Sequence, residues 1–394
     1  MNPDDIVFIS ELFIIPIVCI ALSMIYVMGS FMRIDIPNHR YMSLDGLRGF
    51  LALFVFIHHS SMWYMVVHTH RWLLMNSTLF GQFGYTSVKL FFMITAFLFF
   101  SKLMDNYNRK FDWIKLYTSR FLRIVPLYLF AVLAIVIIVG YCTHFELKEP
   151  SGKLILHIGQ WVWMMEPDIN GMRGTKFIIS GVQWSLSYEW LFYFSLALIG
   201  LLFFRLKPSR SVVLVTGFFS ILFIVIIYNY YFESFGADLG AFAGGIAAAF
   251  ISRNARTRKI LANDWFSVVC ILLEFYAFLY TPSFWSLIAA IPFFIVVSCG
   301  NNLFGILTWR PCLLLGQISY SIYLLHGLLL FTVFYIIIGL GNSHDLLPTF
   351  IYWMLICILC VFLIIMCSIT YCYIERSAIK HADALNRRVH KTLK

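Results

Sequence analysis

Arg48 and His59, with ten residues between them, form the sharpest chemical signal in the chain. Histidine titrates near neutral pH and can carry a proton in either direction. Arginine offers a fixed fork of donors to carboxylate or phosphate. On a helix, eleven positions are close to three turns, so both side chains share one face. They then stand about 16 Å apart along the axis at 1.5 Å per residue. Glu189, in Gln183-Trp184-Ser185-Leu186-Ser187-Tyr188-Glu189, and His326, in Ser319-Tyr320-Ser321-Ile322-Tyr323-Leu324-Leu325-His326, are also set in apolar surroundings. A histidine with a carboxylate is the minimum kit for general acid–base work. Arg120 and Arg123, three apart on one helical face, suit phosphate recognition.

Each of these residues also has a plainer reading. His59 can be a structural histidine bonded across helices, and Glu189 can orient a helix rather than react. His326 can be site wall or packing. An arginine such as Arg48 near a helix end can snorkel to headgroups, and Arg120 and Arg123 can act only as orientation signals. His58 points to a different face and reads as structural. His68 and His70 make an H-x-H without a third ligand, so no metal site is expected. Nine cysteines include no matched C-x-x-C pairs and read as small apolar groups.

The elements that must position these groups follow from composition. Of 394 residues, 61% are hydrophobic and 12% charged, against about 25% charged in an average soluble domain. A soluble fold cannot cover that much apolar surface, whereas lipid removes the conflict. Forty Phe, with Trp and Tyr for the headgroup level, fit the same environment. The net charge of +10 lies in short clusters between apolar runs, so no nucleic-acid partner is expected.

Stretches able to cross about 30 Å of hydrocarbon need roughly 20 residues. The sequence predicts eleven, near 7–31, 47–67, 84–104, 121–142, 176–204, 210–231, 235–252, 262–281, 284–300, 312–338 and 348–373. The Gly- and Ala-rich 235–252 is the least typical. Lys and Arg concentrate on alternate connections, at 33–40, 109–120, 205–210, 253–259 and 310, and in the tail. That asymmetry puts the N-terminus outside and the C-terminus in the cytoplasm. The first helix reads as an anchor, since its start is acidic and its apolar run exceeds a signal h-region. The connection 143–175 is expected outside, as a lid or an interfacial helix. Arg48 then lies at the cytoplasmic edge, while His59, Glu189 and His326 reach mid-membrane. Ionisable groups at that depth mark function by default.

Ser43-Leu44-Asp45-Gly46-Leu47-Arg48-Gly49, with its Arg-x10-His spacing, resembles the opening motif of the membrane acyltransferase 3 family. Gly84 to Leu98, Arg120 to Tyr128, Gln183 to Tyr193 and Leu315 to His326 resemble its later motifs, in the same order. The resemblance covers about 43–376, and five motifs in order are specific where each alone is weak. It departs at Lys89, where an acidic residue is common, and at Thr95-Ala96, which replaces Ser-Gly. The helix at 7–31 precedes the usual start, and no proline follows Glu375-Arg376.

The resemblance implies an all-α polytopic membrane protein with a core of about ten helices plus one N-terminal helix. It divides the chain into an anchor and linker (1–42), an acyltransferase core (43–376) and a basic cytoplasmic tail (377–394). It further implies transfer of an acyl group, with acetyl expected, from cytoplasmic acetyl-CoA to a hydroxyl of an extracytoplasmic glycan or glycolipid, without a metal. The family's essential arginine and histidine correspond to Arg48 and His59, and its basic pair to Arg120 and Arg123. On this reading the donor is held by Arg120, Arg123 and Tyr128. His59, helped by Glu189, deprotonates the acceptor hydroxyl or carries the acyl group itself, and Arg48 positions donor or histidine. Trp184, Ser187, Tyr323 and His326 are expected on the substrate. The lipid bilayer of a bacterial inner membrane is the expected setting; the oligomeric state is not readable. A proton-coupled transporter is the rival, since buried His and Glu also relay protons, but no repeated halves are visible. A non-catalytic partner in glycan assembly is the third reading.

Overall fold

The computed structural model describes residues 3–37, 40–106, 111–206, 235–280, 283–339 and 347–382. Among the described residues every regular element is helical, apart from an isolated bridge between Ile169 and Met172. Helices α1 (Pro3–Leu12) and α2 (Ile14–Phe31) run together as one apolar span. Three long helices follow: α3 (Met42–Thr69), α4 (Thr78–Asp105) and α5 (Trp113–Cys142). Side-chain caps start two of them, since Ser77 accepts from the Phe80 amide and Asp112 from the Lys115 amide.

The short helix α6 (Ser151–Val162) and a 3-10 turn (Thr175–Ile179) lead into α7 (Trp184–Leu206). Then come α8 (Phe235–Ile251), α9 (Ala255–Leu261), α10 (Asp264–Tyr280), α11 (Ser283–Ser298) and α12 (Arg310–Gln317). Helix α13 (Ser319–Phe331) ends in a π turn, Thr332–Ile337, and α14 (Thr349–Thr370) in another, Tyr371–Glu375. Among the described residues six helical spans are long and apolar enough to cross a membrane, or seven if α9 and α10, bent by 68°, count as one span. The chain is an all-α, multi-pass membrane protein.

Most expected spans have a helix in place, with informative differences. The expected span 210–231 lies outside the described residues. The stretch 312–338 is divided at Ile318 into α12 and α13. The reason is a backbone crossing: α12 meets α3 where a Cβ on Gly49 would stand 2.8 Å from the Gly316 nitrogen. In 176–204, left-handed backbone at Ser180 (φ 55°) and Gly181 (φ 67°) delays the helix to Trp184. The Gly- and Ala-rich segment forms α8, which packs along α4. Small residues permit that approach where lipid supplies no hydrophobic drive between helices. Phe242 of α8 stacks on Phe92 of α4 at 4.6 Å and on Phe192 of α7 at 4.5 Å, tying the three helices together.

Candidate active site

Helices α3 and α13 bring two histidines together. His326 Nε2 lies 3.0 Å from His59 Nδ1. His326 Nδ1 is 2.9 Å from the Ile322 carbonyl, and His59 Nδ1 is 3.1 Å from the Val55 carbonyl, each one turn back on its own helix. A carbonyl oxygen only accepts, so neutral His326 carries its proton on Nδ1 and its Nε2 is the acceptor. His59 must then donate from Nδ1. That assignment, made from the bonding network, leaves the His59 Nε2 lone pair available as a base or nucleophile. His59 is half-buried beneath Trp72, at 6.2 Å between ring centres, whereas His326 is fully buried.

Toward the start of α3 lies a cavity lined by Arg48, Arg120, Arg123, Glu189, Thr95 and Tyr323, with Phe91, Phe92 and Phe99 in its walls. Three guanidinium groups face one carboxylate in this lining, which makes it a site for an anion. Glu189 Oε1 accepts from the Tyr193 hydroxyl at 2.5 Å and from Thr95 Oγ1 at 3.1 Å. The Arg120 guanidinium lies 4.5 Å from the centre of the Phe99 ring, and its buried Nε has no hydrogen-bond partner. Tyr323 joins this cavity to the histidines, since its ring centre is 6.5 Å from that of His326.

The expected residues therefore fall into groups that the sequence does not separate. Arg48, Arg120, Arg123, Glu189 and Tyr323 share the cavity, while His59 and His326 pair beyond it. The partner of His59 is His326 and not Glu189, which α7 holds among the arginines. Tyr128, five positions past Arg123 and so on another face, donates its hydroxyl to the Trp161 carbonyl at 2.7 Å. It clamps the connection 143–175 and lies outside the cavity lining. Trp184 and Ser187 are on the exposed face of α7, and Ser185 and Leu186 take their place in the lining.

His58 is buried with Nδ1 2.7 Å from the Phe80 carbonyl. His68 stacks on Tyr64 and puts its two nitrogens against the Tyr64 and Leu347 carbonyls. Among the described residues no group of three His, Cys, Asp or Glu could hold a metal ion. In the connection after α6, burial raises the Glu166 carboxyl above its usual range, and Lys176 at 3.9 Å opposes the shift.

Two carboxylates escaped the sequence reading. Glu375, on the π turn after α14, is buried, accepts from the Ser321 hydroxyl and feels the charges of Arg123 and Arg48. Its signal in the sequence is its place in the Glu375-Arg376 pair just past the last apolar run. Asp238, on α8, is buried with Lys89 of α4 and attracts it. That opposing charge accounts for lysine at a position where an acidic residue is common. The other departures are accommodated as well. Thr95 supplies a hydroxyl to Glu189 as a serine would. The methyl of Ala96 is met by Gly245, where an added Cβ would lie 2.8 Å away. With no proline after Glu375-Arg376, the helix runs on to Ala382, and Arg376 pairs with Asp35.

Comparison with known proteins shows which family the chain resembles. A family model described as an acyltransferase domain matches residues 41–372. Among curated proteins, the chain is 25% identical over 373 residues to the O-acetyltransferase OatA of Staphylococcus aureus strain NCTC 8325 / PS 47, and equally to that of strain COL. These matches cover 85% of this chain and 57% of the relatives, so the chain spans little more than half their length. No solved structure matches.

Proposed function

The chain belongs to the acyltransferase-domain family, and on that premise we propose that it is a membrane O-acyltransferase acting on a glycan hydroxyl. The observation that carries the reading is the His59–His326 pair set beyond a chamber of three arginines. Acyl-CoA is the donor: its phosphates meet Arg120 and Arg123, and its thioester passes Arg48 and Tyr323 toward His59. Acetyl is the group that the name of the curated relatives favours.

Two routes use the same tautomer of His59. In the first, Nε2 takes the proton of the acceptor hydroxyl, and the oxygen attacks the thioester carbonyl. The C–S bond breaks, and the leaving thiolate takes the proton back from Nε2. In the second, Nε2 attacks the carbonyl itself, the C–S bond breaks and CoA leaves as the thiolate. The acceptor oxygen then attacks the acyl carbon, the acyl–Nε2 bond breaks, and the hydroxyl proton passes to the thiolate. His326 acts in both by accepting from Nδ1, which fixes the ring and makes Nε2 more basic. Glu189, held by Thr95 and Tyr193, balances part of the charge of the arginines and keeps them oriented.

The distribution of Lys and Arg supports an orientation with the tail in the cytoplasm, the donor on that side and the acceptor outside, and the bacterial source of the curated relatives favours a bacterial membrane. The test is chemical. Envelope glycans from cells expressing the chain gain an ester that mild alkali removes, and glycans from cells with the empty vector do not. Equal ester content in both would refute the reading.

A further inference from the structure

Around the histidine end of α13 lie further buried polar groups that the chemistry above does not use. Gln183 is 0% exposed, yet neither its Oε1 nor its Nε2 has a hydrogen-bond partner. Ser180 Oγ and Trp63 Nε1 are likewise buried and unpartnered. A glutamine amide can make four hydrogen bonds, so leaving all of them unmade in the interior is costly. Three such residues in one region point to a ligand that completes them.

Their placement is consistent. Trp63 stands one turn beyond His59 on α3, and its ring centre lies 5.8 Å from that of Trp72, the ring beside His59. The backbone of Ser180 is pressed against Gly327, the neighbour of His326, where an added Cβ would come within 2.6 Å of the Ser180 nitrogen. The Val182 carbonyl, next to Gln183, accepts from the Tyr323 hydroxyl at 3.3 Å. The turn 180–183 therefore crosses the histidine end of α13. Ser180 sits there in left-handed backbone, uncommon for a residue other than glycine. The arginine cavity takes its lining from α7 only from Ser185 onward.

We propose that Ser180, Gln183 and Trp63 form the acceptor subsite, receiving a pyranose ring whose free hydroxyls pair with the carboxamide, the hydroxyl and the indole N–H. This assignment rests on the acyl-transfer reading above. It has the chemistry of sugar recognition: neutral donors and acceptors beside aromatic rings, and no charge. The donor then enters from the arginine side and the acceptor from the other, with His59 between them.

The test uses the full chain in membranes that contain its own acceptor glycan, supplied with radiolabelled acetyl-CoA. Gln183→Met and Ser180→Ala are compared with the parent in three readouts: label in glycan, acceptor-independent release of CoA by purified protein, and the thermal midpoint of that protein. Glycan labelling is expected to fall about tenfold or more, the scale of one lost hydrogen bond. CoA release should stay within about twofold. The midpoint should hold or rise, because an unpaired polar group has been replaced by an apolar one. Parental glycan labelling, an equal fall in CoA release, or a lowered midpoint for Gln183→Met would each overturn the subsite. Membranes of the parent that label no glycan would instead overturn the acyl-transfer reading beneath it.

Discussion

His326 Nε2 accepts from His59 Nδ1 at 3.0 Å across 267 positions of sequence. The bond works in one direction only, because the Ile322 carbonyl occupies the proton on the other nitrogen of His326. The arrangement resembles the carboxylate behind a catalytic histidine, with a neutral acceptor in its place. A neutral partner suits a site at membrane depth, where a second charge would be expensive.

His326→Ala should lower kcat by about a hundredfold or more, since His59 loses the acceptor that fixes its ring and makes Nε2 more basic, even though the Val55 carbonyl still receives the Nδ1 proton. The KM for acetyl-CoA should change by less than about twofold, because the donor meets other residues. His326→Gln, which can still present an acceptor, should recover part of the loss. Steady-state kinetics in detergent or nanodiscs decide it. An unaltered kcat for His326→Ala would make this histidine a packing residue.

Arg120→Ala and Arg123→Ala should each weaken acyl-CoA binding, by roughly tenfold for one charge-assisted hydrogen bond. Binding to the parent should also fall as salt rises, because the approach to the cavity is open to screening. Titration of the donor into purified double variant, at low and high salt, measures both. Parental affinity in the double variant would reduce these arginines to orientation signals.

Lys89 and Asp238 attract one another between the packed helices α4 and α8. Asp238→Asn removes a buried charge that attracts Lys89, which destabilises the packed pair of helices. The thermal midpoint should drop accordingly. The reversed pair, Lys89→Asp with Asp238→Lys, should restore most of it. A double variant as unstable as the sum of the two singles would show that the residues do not act as a pair.

Hydropathy made the helices legible because a span must be apolar for its whole length, a local property of the sequence. The shared face of Arg48 and His59 was legible for the same reason, since eleven positions on one helix set their geometry. What could not be read was contact between distant segments. Nothing near His59 announces His326, and nothing near Lys89 announces Asp238. The division at Ile318 was hidden because hydropathy does not register a helix crossing made by Gly316. The 143–175 connection reads as a lid or an interfacial helix, but nothing in the sequence shows that Tyr128 clamps it. Gln183 lies within a recognisable motif, but an unpaired amide is visible only once its surroundings are known.

The most direct test of the central claim is ester transfer by His59→Ala, measured from acetyl-CoA at matched abundance in the membrane. His58→Ala is the control, since His58 is buried against the Phe80 carbonyl on the neighbouring face. The account predicts that His59→Ala loses about a thousandfold or more of the transfer rate. His58→Ala should lose stability while the surviving protein still transfers. Near-normal acylation by His59→Ala would contradict the account, because no other described residue presents a free imidazole nitrogen at the meeting point of donor and acceptor.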